Sequence, residues 1–240
     1  MKPARAVTLD FGQTLAEVDT DLLARRLAER DVACDPDALR RATPAAWRAY
    51  NEAVLAGLGG HPWKVLMRAW LDDAGVAPGE RGRRDELVDW LWSEQPRVNL
   101  WRRPIPGMID VARDLRRAGV PVAVVSNSEG KLAELIAEMG WAGEFDVVAD
   151  SGKLGVEKPD RAIFAWAAAR LDVALEDCVH VGDAWAADFL GALDAGMRAV
   201  LFRGGAFAPP NDPRLHGERS VACDEPELLR AALRAWALPA

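Results

Sequence analysis

Near its start the sequence reads Ala6-Val7-Thr8-Leu9-Asp10-Phe11-Gly12-Gln13-Thr14-Leu15. The mostly apolar run before Asp10 is typical of a buried parallel strand. A carboxylate that follows such a strand, just before a glycine-containing turn, lies at the carboxyl edge of the sheet, where open α/β sheets bind their ligands. Taken alone, this stretch is better explained by an aspartate that only caps the next turn. The choice depends on whether later strands also end in polar residues.

Length and composition limit the class of protein. The chain has 240 residues, half of them apolar, which is enough for one large domain or two modest ones. Lys and Arg total 30 against 37 for Asp and Glu, a formal charge of -7, so we expect no nucleic-acid or membrane partner. The cysteines, Cys34, Cys178 and Cys223, lack metal-type spacing and cannot all pair, which favours a reducing compartment. No apolar run is long enough to span a bilayer and no leader is evident, so we expect a soluble cytoplasmic protein.

Residues 17–97 have the pattern of a helical segment. Apolar residues recur at helical spacing, and no convincing strand interrupts them. We predict four helices, the second beginning at Asp35-Pro36, with Asp35 as the N-cap. Five of the ten tryptophans lie in this segment, and their helical spacing indicates packing rather than a cofactor site.

After residue 104 strands and helices alternate, which is typical of a parallel sheet with helices on both faces. The predicted strands cover residues 120–125, 145–149, 178–181 and 199–202, with helices between them and a loop at 204–217. The sequence therefore predicts an α/β fold, a Rossmann-like doubly wound parallel sheet with an all-helical insert. The core would comprise residues 1–16 and 98–240, and the insert residues 17–97. An insert placed directly after the first strand is in the position of a lid.

Polar residues follow four of the predicted strands. They are Asp10, the pair Ser126-Asn127, Lys158 at a helix start, and Asp183 with Asp188 five residues later. Each has an ordinary interpretation by itself, such as a turn, a cap or a surface lysine, and Lys153 competes with Lys158. His180, between two valines on a strand, is interpreted as a core histidine. Four coincidences at consecutive strand ends favour a single site.

The combination resembles the haloacid dehalogenase-like hydrolase superfamily over essentially the whole chain. The four motifs of that superfamily read here Asp10-Phe11-Gly12-Gln13-Thr14, Ser126-Asn127, Lys158-Pro159-Asp160 and Gly182-Asp183-Ala184-Trp185-Ala186-Ala187-Asp188. The helical segment between the first and second motifs resembles the C1 cap domain of the superfamily. The resemblance implies a Rossmann-like core, an aspartyl intermediate and, usually, Mg²⁺.

The resemblance also implies roles for individual residues. Asp10 would be the nucleophile, and Thr14 would fix the turn and hydrogen-bond toward it. Lys158 and Mg²⁺ would supply the positive charge that allows two anions to meet. The implied metal site comprises Asp10, the Gly12 carbonyl and Asp183, with Asp188 orienting metal-bound water or Lys158. Ser126, the backbone near Asn127 and Lys158 would bind the phosphate.

One position departs from the pattern of the family. Most phosphatases of the superfamily have a second aspartate two residues after the nucleophile, which acts as general acid and base, and here that residue is Gly12. General acid–base catalysis contributes about 10²- to 10⁴-fold to the rate. Water, Gln13 or a cap residue such as His61 would have to replace it. Substrate selectivity is expected in cap side chains near residues 57–64.

We therefore predict a Mg²⁺-dependent hydrolase of small-molecule phosphate esters and leave its oligomeric state open. Three alternatives remain. A 2-haloacid dehalogenase would work without Mg²⁺ and would lack the two aspartates of the fourth motif. A phosphonoacetaldehyde hydrolase would need a cap lysine for a Schiff base, and Lys64 is the only one in the cap. The third alternative is a binding protein that retains the metal site but does not catalyse.

Overall fold

The chain folds into two units. A computed structural model describes residues 2–57, 62–204, 208–209 and 211–239. The first unit combines Met1–Glu17 with Pro104–Ala240, and the second is Val18–Arg103. The helical unit thus extends to Arg103, six residues beyond the end of the predicted insert at residue 97.

A six-stranded parallel sheet forms the centre of the first unit, in the order β5-β4-β1-β6-β7-β8. The strands of the chain are β1 (Ala6–Leu9), β2 (Ala16–Val18), β3 (Trp101–Pro104), β4 (Val122–Ser126), β5 (Val147–Asp150), β6 (Cys178–Gly182), β7 (Arg198–Phe202) and β8 (Ser220–Cys223). β1 lies between β4 and β6, with Leu9 paired to Val124 on one side and to Val181 on the other. The predicted Rossmann-like parallel core is confirmed.

Helices of the first unit pack on this sheet. They are α5 (Met108–Arg117), α6 (Leu132–Glu138), α7 (Ser151–Leu154), α8 (Arg161–Arg170), α9 (Gly191–Asp194) and α10 (Pro226–Ala235). Phe164 of α8 and Phe189 are fully buried in one cluster with Val125 of β4. Burying a side chain of this size contributes about 1.5–3 kcal/mol. The apolar strands and the apolar faces of the helices therefore hold the sheet in place.

Four details of the secondary structure differ from the sequence-based prediction. β2 and β3 form a separate two-stranded sheet, although residues 17–97 were expected to contain no strand. The four-residue elements β8 and α7 were not predicted. The single helix predicted over 185–195 is instead a π-helix, Trp185–Leu190, followed by α9. There Phe189 N–H donates to Ala184 O at 3.1 Å, five residues back.

The second unit is helical. It contains α1 (Thr20–Ala28), α2 (Pro36–Leu55), α3 (Trp63–Asp73) and α4 (Arg81–Glu94). The predicted start of α2 is confirmed, since the Asp35 side chain accepts from Asp37 N–H at 3.0 Å. Trp70 is buried and its Nε1–H donates to Leu39 O at 2.6 Å, joining α3 to α2. This tryptophan packs in the core of the unit, as its helical spacing predicted.

Neither unit, within the residues described, contains a helix with the length and apolarity that crossing a membrane requires. The three cysteines form no disulfide.

Candidate active site

The predicted site residues lie at the carboxyl edge of the parallel sheet. Asp10 directly follows β1, and its N–H donates to Val181 O of the neighbouring strand at 2.8 Å. Ser126 is the last residue of β4, and Asp183 follows the end of β6. Parallel neighbours end at the same edge, so residues distant in sequence become neighbours in space.

Lys158 lies between two of the carboxylates. Its Nζ is 2.6 Å from Asp10 Oδ1 and 2.5 Å from Asp188 Oδ1. Its side chain is 2 % exposed, against 8 % for Asp10 and 2 % for Asp188. Lys153, the competing lysine, pairs with Glu134 at 3.3 Å and is half exposed. The structure thus brings Lys158, not Lys153, to the nucleophile candidate.

Three buried carboxylates form a group suited to a cation. Asp10, Asp183 and Asp188 each offer an oxygen, and these atoms lie within 4.8 Å of one another. With one ammonium among them, three ionised carboxylates would leave two negative charges unbalanced in a buried site, which is costly. A divalent cation would balance that charge, and carboxylate oxygens are the ligands that Mg²⁺ prefers. The residues present therefore fit the Mg²⁺ that the family resemblance implies.

The proton affinities of the carboxylates reflect this crowding. Burial raises the pKa of Asp10 to about 6, although Lys158 and the Ser126 hydroxyl act in the opposite direction. Burial, together with the negative charges of Asp188 and Asp10, raises the pKa of Asp183 well above its ordinary value. Burial also opposes the ionised form of Asp188, but Lys158 and His180 outweigh it and lower the pKa of that group. Asp188 is therefore the permanent anion beside Lys158.

The main chain of Lys158 is held by Asn127. The Asn127 side chain donates from Nδ2 to Lys158 O at 2.9 Å and accepts at Oδ1 from Lys158 N–H at 2.7 Å. This reciprocal pair joins the end of β4 to the residue that carries the ammonium. The Asn127 side chain thus has a role in placing Lys158 that sequence analysis did not predict.

The turn after Asp10 differs from expectation at Thr14. The Thr14 hydroxyl is buried and makes no hydrogen bond with any described residue, so the predicted bond toward the nucleophile is absent. The turn is closed instead by the backbone, since the amides of Leu15 and Ala16 both donate to Phe11 O. Gly12 lies within this turn, half-buried, and forms an isolated bridge with Ala16.

Asp150, at the end of β5, was not identified from sequence. Its carboxylate accepts from Ser128 Oγ at 2.6 Å and from the amides of Gly130, Leu132 and Gly152 at 3.0 Å. The loop that follows Ser126 is thereby fixed. A side chain at Gly152 would place its Cβ 2.4 Å from Gly130 N, so the close approach requires glycine. The signal available in the sequence was a polar Asp-Ser-Gly run at a strand end.

Two residues of the helical unit, His61 and Lys64, were candidates for a catalytic role. His61, and with it part of the 57–64 segment, lies outside the described residues. Lys64 Nζ forms an ion pair with Asp89 Oδ1 at 2.6 Å, and its side chain is 44 % exposed. A partly exposed lysine in a surface ion pair lacks the desolvated surroundings that activate a lysine for Schiff-base formation.

Comparison with known proteins gives the class. The family model of haloacid dehalogenase-like hydrolases matches residues 4–196. A phosphoserine phosphatase of Thermus thermophilus is 34 % identical over 177 residues, covering 72 % of this chain and 67 % of that protein. A glyceraldehyde 3-phosphate phosphatase of Methanopyrus kandleri is 39 % identical over 114 residues, covering 46 % and 49 %. The chain belongs to the haloacid dehalogenase-like hydrolase family.

Solved structures agree on the fold. A family member from Bacillus subtilis, bound to magnesium, superposes with a TM-score of 0.70 at 17 % identity, over 97 % of this chain and 99 % of that one. A dehalogenase with an intermediate complex has a TM-score of 0.65 at 19 % identity, over 97 % and 98 %. At these identities the likeness shows the shared fold, a Rossmann-like core with a cap.

The raised carboxyl pKa values predict how the metal-free protein responds to pH. Folded Asp10 and Asp183 retain protons that the unfolded chain has released above about pH 4. Their contribution to stability is thus present at low pH and lost as pH rises through their folded pKa values. We expect the melting temperature in EDTA to fall from pH 5 to pH 8, and saturating Mg²⁺ to restore it most at pH 8. Thermal scans at four pH values measure this, and a Tm in EDTA that rises over that range would contradict it.

Proposed function

We propose that the protein is a Mg²⁺-dependent hydrolase of small-molecule phosphate esters that acts through an aspartyl-phosphate at Asp10. One observation carries the proposal. The buried Asp10 carboxylate contacts the Lys158 ammonium at 2.6 Å and lies in a group of three carboxylates with a deficit of positive charge. A nucleophile, a cation and a metal-ligand set thus meet at the sheet edge where ligands bind. The sequence relatives named as phosphatases support the same class of reaction.

Asp10 is the proposed covalent nucleophile. One oxygen of its carboxylate attacks phosphorus, the bond from phosphorus to the ester oxygen breaks, and the departing alkoxide takes up a proton. Water then attacks the phosphorus of the aspartyl-phosphate, which releases inorganic phosphate and regenerates the carboxylate. Lys158 reduces the repulsion between the two anions, and Ser126 with the backbone near Asn127 holds the phosphoryl oxygens.

The proposed metal ligands are Asp10, Asp183 and the Gly12 carbonyl. Bound Mg²⁺ would polarise the phosphoryl oxygens and add positive charge. Asp188 is assigned an indirect role, because both of its oxygens already accept hydrogen bonds. Oδ1 accepts from Lys158 at 2.5 Å and Oδ2 from Ala184 N–H at 2.9 Å. Asp188 therefore orients Lys158.

The experiment that tests the class is phosphate release from a panel of phosphate esters, with Mg²⁺ and with EDTA. Phosphoserine and glyceraldehyde 3-phosphate belong in the panel because relatives are named for them. We expect turnover with Mg²⁺ and none with EDTA. Halide release from 2-haloacids without metal would support a dehalogenase instead. Borohydride trapping at Lys64 with phosphonoacetaldehyde would support a phosphonoacetaldehyde hydrolase. Mg²⁺ binding without any turnover would support a binding protein.

Replacement of Gly12 tests the proton-transfer step. Gly12→Asp would place a carboxyl group two residues after the nucleophile, where most phosphatases of the family have one. General acid–base catalysis is worth about 10²- to 10⁴-fold, so we expect kcat for phosphate release to rise at least about tenfold. Gly82→Asp, on α4 with open space around it, is the matched control and should leave kcat within about twofold. A flat or reduced rate for Gly12→Asp would mean that protons travel by another route.

A further inference from the structure

The two strands that carry Asp10 and Asp183 each contain one buried polar side chain among apolar neighbours. These are Thr8 of β1 and His180 of β6, which pair directly in the sheet register. They are 0 % and 1 % exposed. Buried polar side chains in folded proteins are nearly always hydrogen-bonded, so the hydrogen-bond partners of Thr8 and His180 indicate the role of the pair.

Both ring nitrogens of His180 have partners. Nδ1 lies 2.8 Å from Thr8 Oγ1, and Nε2 lies 3.3 Å from Asp188 Oδ1. The Phe164 ring and the imidazole pack edge to face, with centroids 5.0 Å apart. The contacts form one buried series from Thr8 through His180 and Asp188 to Lys158, whose Nζ also contacts Asp10.

The distances favour one tautomer of His180. The Thr8 hydroxyl has two acceptors within reach, Nδ1 at 2.8 Å and Val179 O at 3.4 Å, and the shorter contact favours donation to Nδ1. Nδ1 is then unprotonated, and Nε2 carries the hydrogen. The reverse tautomer would direct a bare nitrogen lone pair at a carboxylate oxygen inside a buried site, which is unfavourable. Burial also lowers the pKa of His180, consistent with a neutral ring.

We infer that His180 is a positioning residue, a neutral imidazole whose Nε2–H donates to Asp188 and so holds that carboxylate against Lys158. Its effect on catalysis rests on the proposed function, whereas the hydrogen-bond arrangement does not. Asp188 Oδ1 is shared between the ammonium and the imidazole, and Oδ2 is held by Ala184 N–H. Three donors thus fix the carboxylate. Loss of the imidazole donor would allow the carboxylate, and with it Lys158 Nζ, to move away from Asp10.

The first test observes the tautomer directly. The chain has three histidines, so proton–nitrogen correlation spectra of the ¹⁵N-labelled full chain in EDTA at pH 7 are simple to assign, with His180→Phe identifying the resonances of His180. We expect a protonated Nε2 and an unprotonated Nδ1. A protonated Nδ1, alone or together with Nε2, would overturn the inference without any measurement of activity.

The second test removes the group that fixes the ring. Thr8→Val keeps the side-chain shape but loses the donor, so the spectra should show an increased population with protonated Nδ1. Thr8→Ser should restore the wild-type spectrum. Thr20→Val is the control, since Thr20 in the other unit is also buried and its hydroxyl has no hydrogen-bond partner among the described residues. It should leave the spectrum of His180 unchanged.

The third test connects the arrangement to the site. Loss of a group that orients a residue of the metal site typically lowers activity or metal affinity about 10- to 100-fold. We expect Thr8→Val to lower kcat by that factor with KM within about twofold, and Thr8→Ser to recover it. If the wild type turns over no phosphate ester, the proposed function fails, and Mg²⁺ affinity by calorimetry replaces kcat as the readout. If the Thr8→Val variant has the same His180 tautomer, kcat and Mg²⁺ affinity as the wild type, the positioning role is overturned.

Discussion

Asp10→Asn is expected to abolish phosphate release, with kcat reduced on the order of 10⁴-fold or more. The amide of Asn is nearly the same size as the carboxylate but is not a nucleophile toward phosphorus, so the covalent step cannot begin. Steady-state phosphate release measures the loss. Acid quenching during turnover adds a second readout, since the wild-type chain should retain covalently bound phosphate and the variant should not.

Loss of folding would not explain such a result. Burial raises the pKa of Asp10 to about 6, so the folded protein is destabilised by ionising that group. Asp10→Asn removes the charge and should raise the melting temperature in EDTA at pH 8. Asp160→Asn is the matched control, because Asp160 is exposed and caps α8 by accepting from Ala162 N–H at 2.8 Å, a role that Asn also fills. The assignment of the nucleophile would be contradicted if the Asp10→Asn variant retained a tenth of the wild-type kcat. It would also be contradicted if the Asp160→Asn variant were as inactive as Asp10→Asn.

The strand ends could be predicted from the sequence because they depend on a local pattern. Apolar, β-branched residues before Asp10, Ser126 and Asp183 specify buried parallel strands, and parallel strands must end at a common edge. The order of elements then brings those residues together without knowledge of any particular contact. Lys158 was harder to distinguish from Lys153, since the two lysines lie only five residues apart between a predicted strand and a predicted helix. The motif context, not the local pattern, separated them.

The contacts between side chains could not be predicted in the same way. The pairing of Asn127 with the backbone of Lys158, and of Thr8 with His180, depends on strand register and on the packing of α8, which no local pattern encodes. The same holds for the Thr14 hydroxyl, which was expected to bond toward Asp10 and has no partner among the described residues. The π-helix after Asp183 was not predicted either, because the apolar spacing of residues 185–195 does not distinguish it from an α-helix.

Lys158→Met is expected to lower kcat on the order of 10³-fold and to destabilise the metal-free protein. Met preserves most of the apolar stem but leaves Asp10 and Asp188 facing each other without the ammonium. Removal of one partner of a buried ion pair typically costs about 3–5 kcal/mol. Denaturant unfolding in EDTA at pH 8 measures the second effect. The cost should be smaller at pH 5, because the facing carboxylates can then take up a proton.

Lys153→Met is the matched control for this variant. Lys153 is half exposed, and its one ion pair among the described residues is with a surface glutamate. Its loss should therefore change the free energy of unfolding by less than about 0.5 kcal/mol and kcat by less than about twofold. Mg²⁺ should recover part of the stability of Lys158→Met, because a divalent cation also balances the carboxylates, but it should not recover the rate, since the charge beside Asp10 Oδ1 is still missing. A Lys158→Met protein with wild-type kcat would mean that the contact between Lys158 and Asp10 serves stability alone, and that the positive charge needed for attack on phosphorus comes from another group.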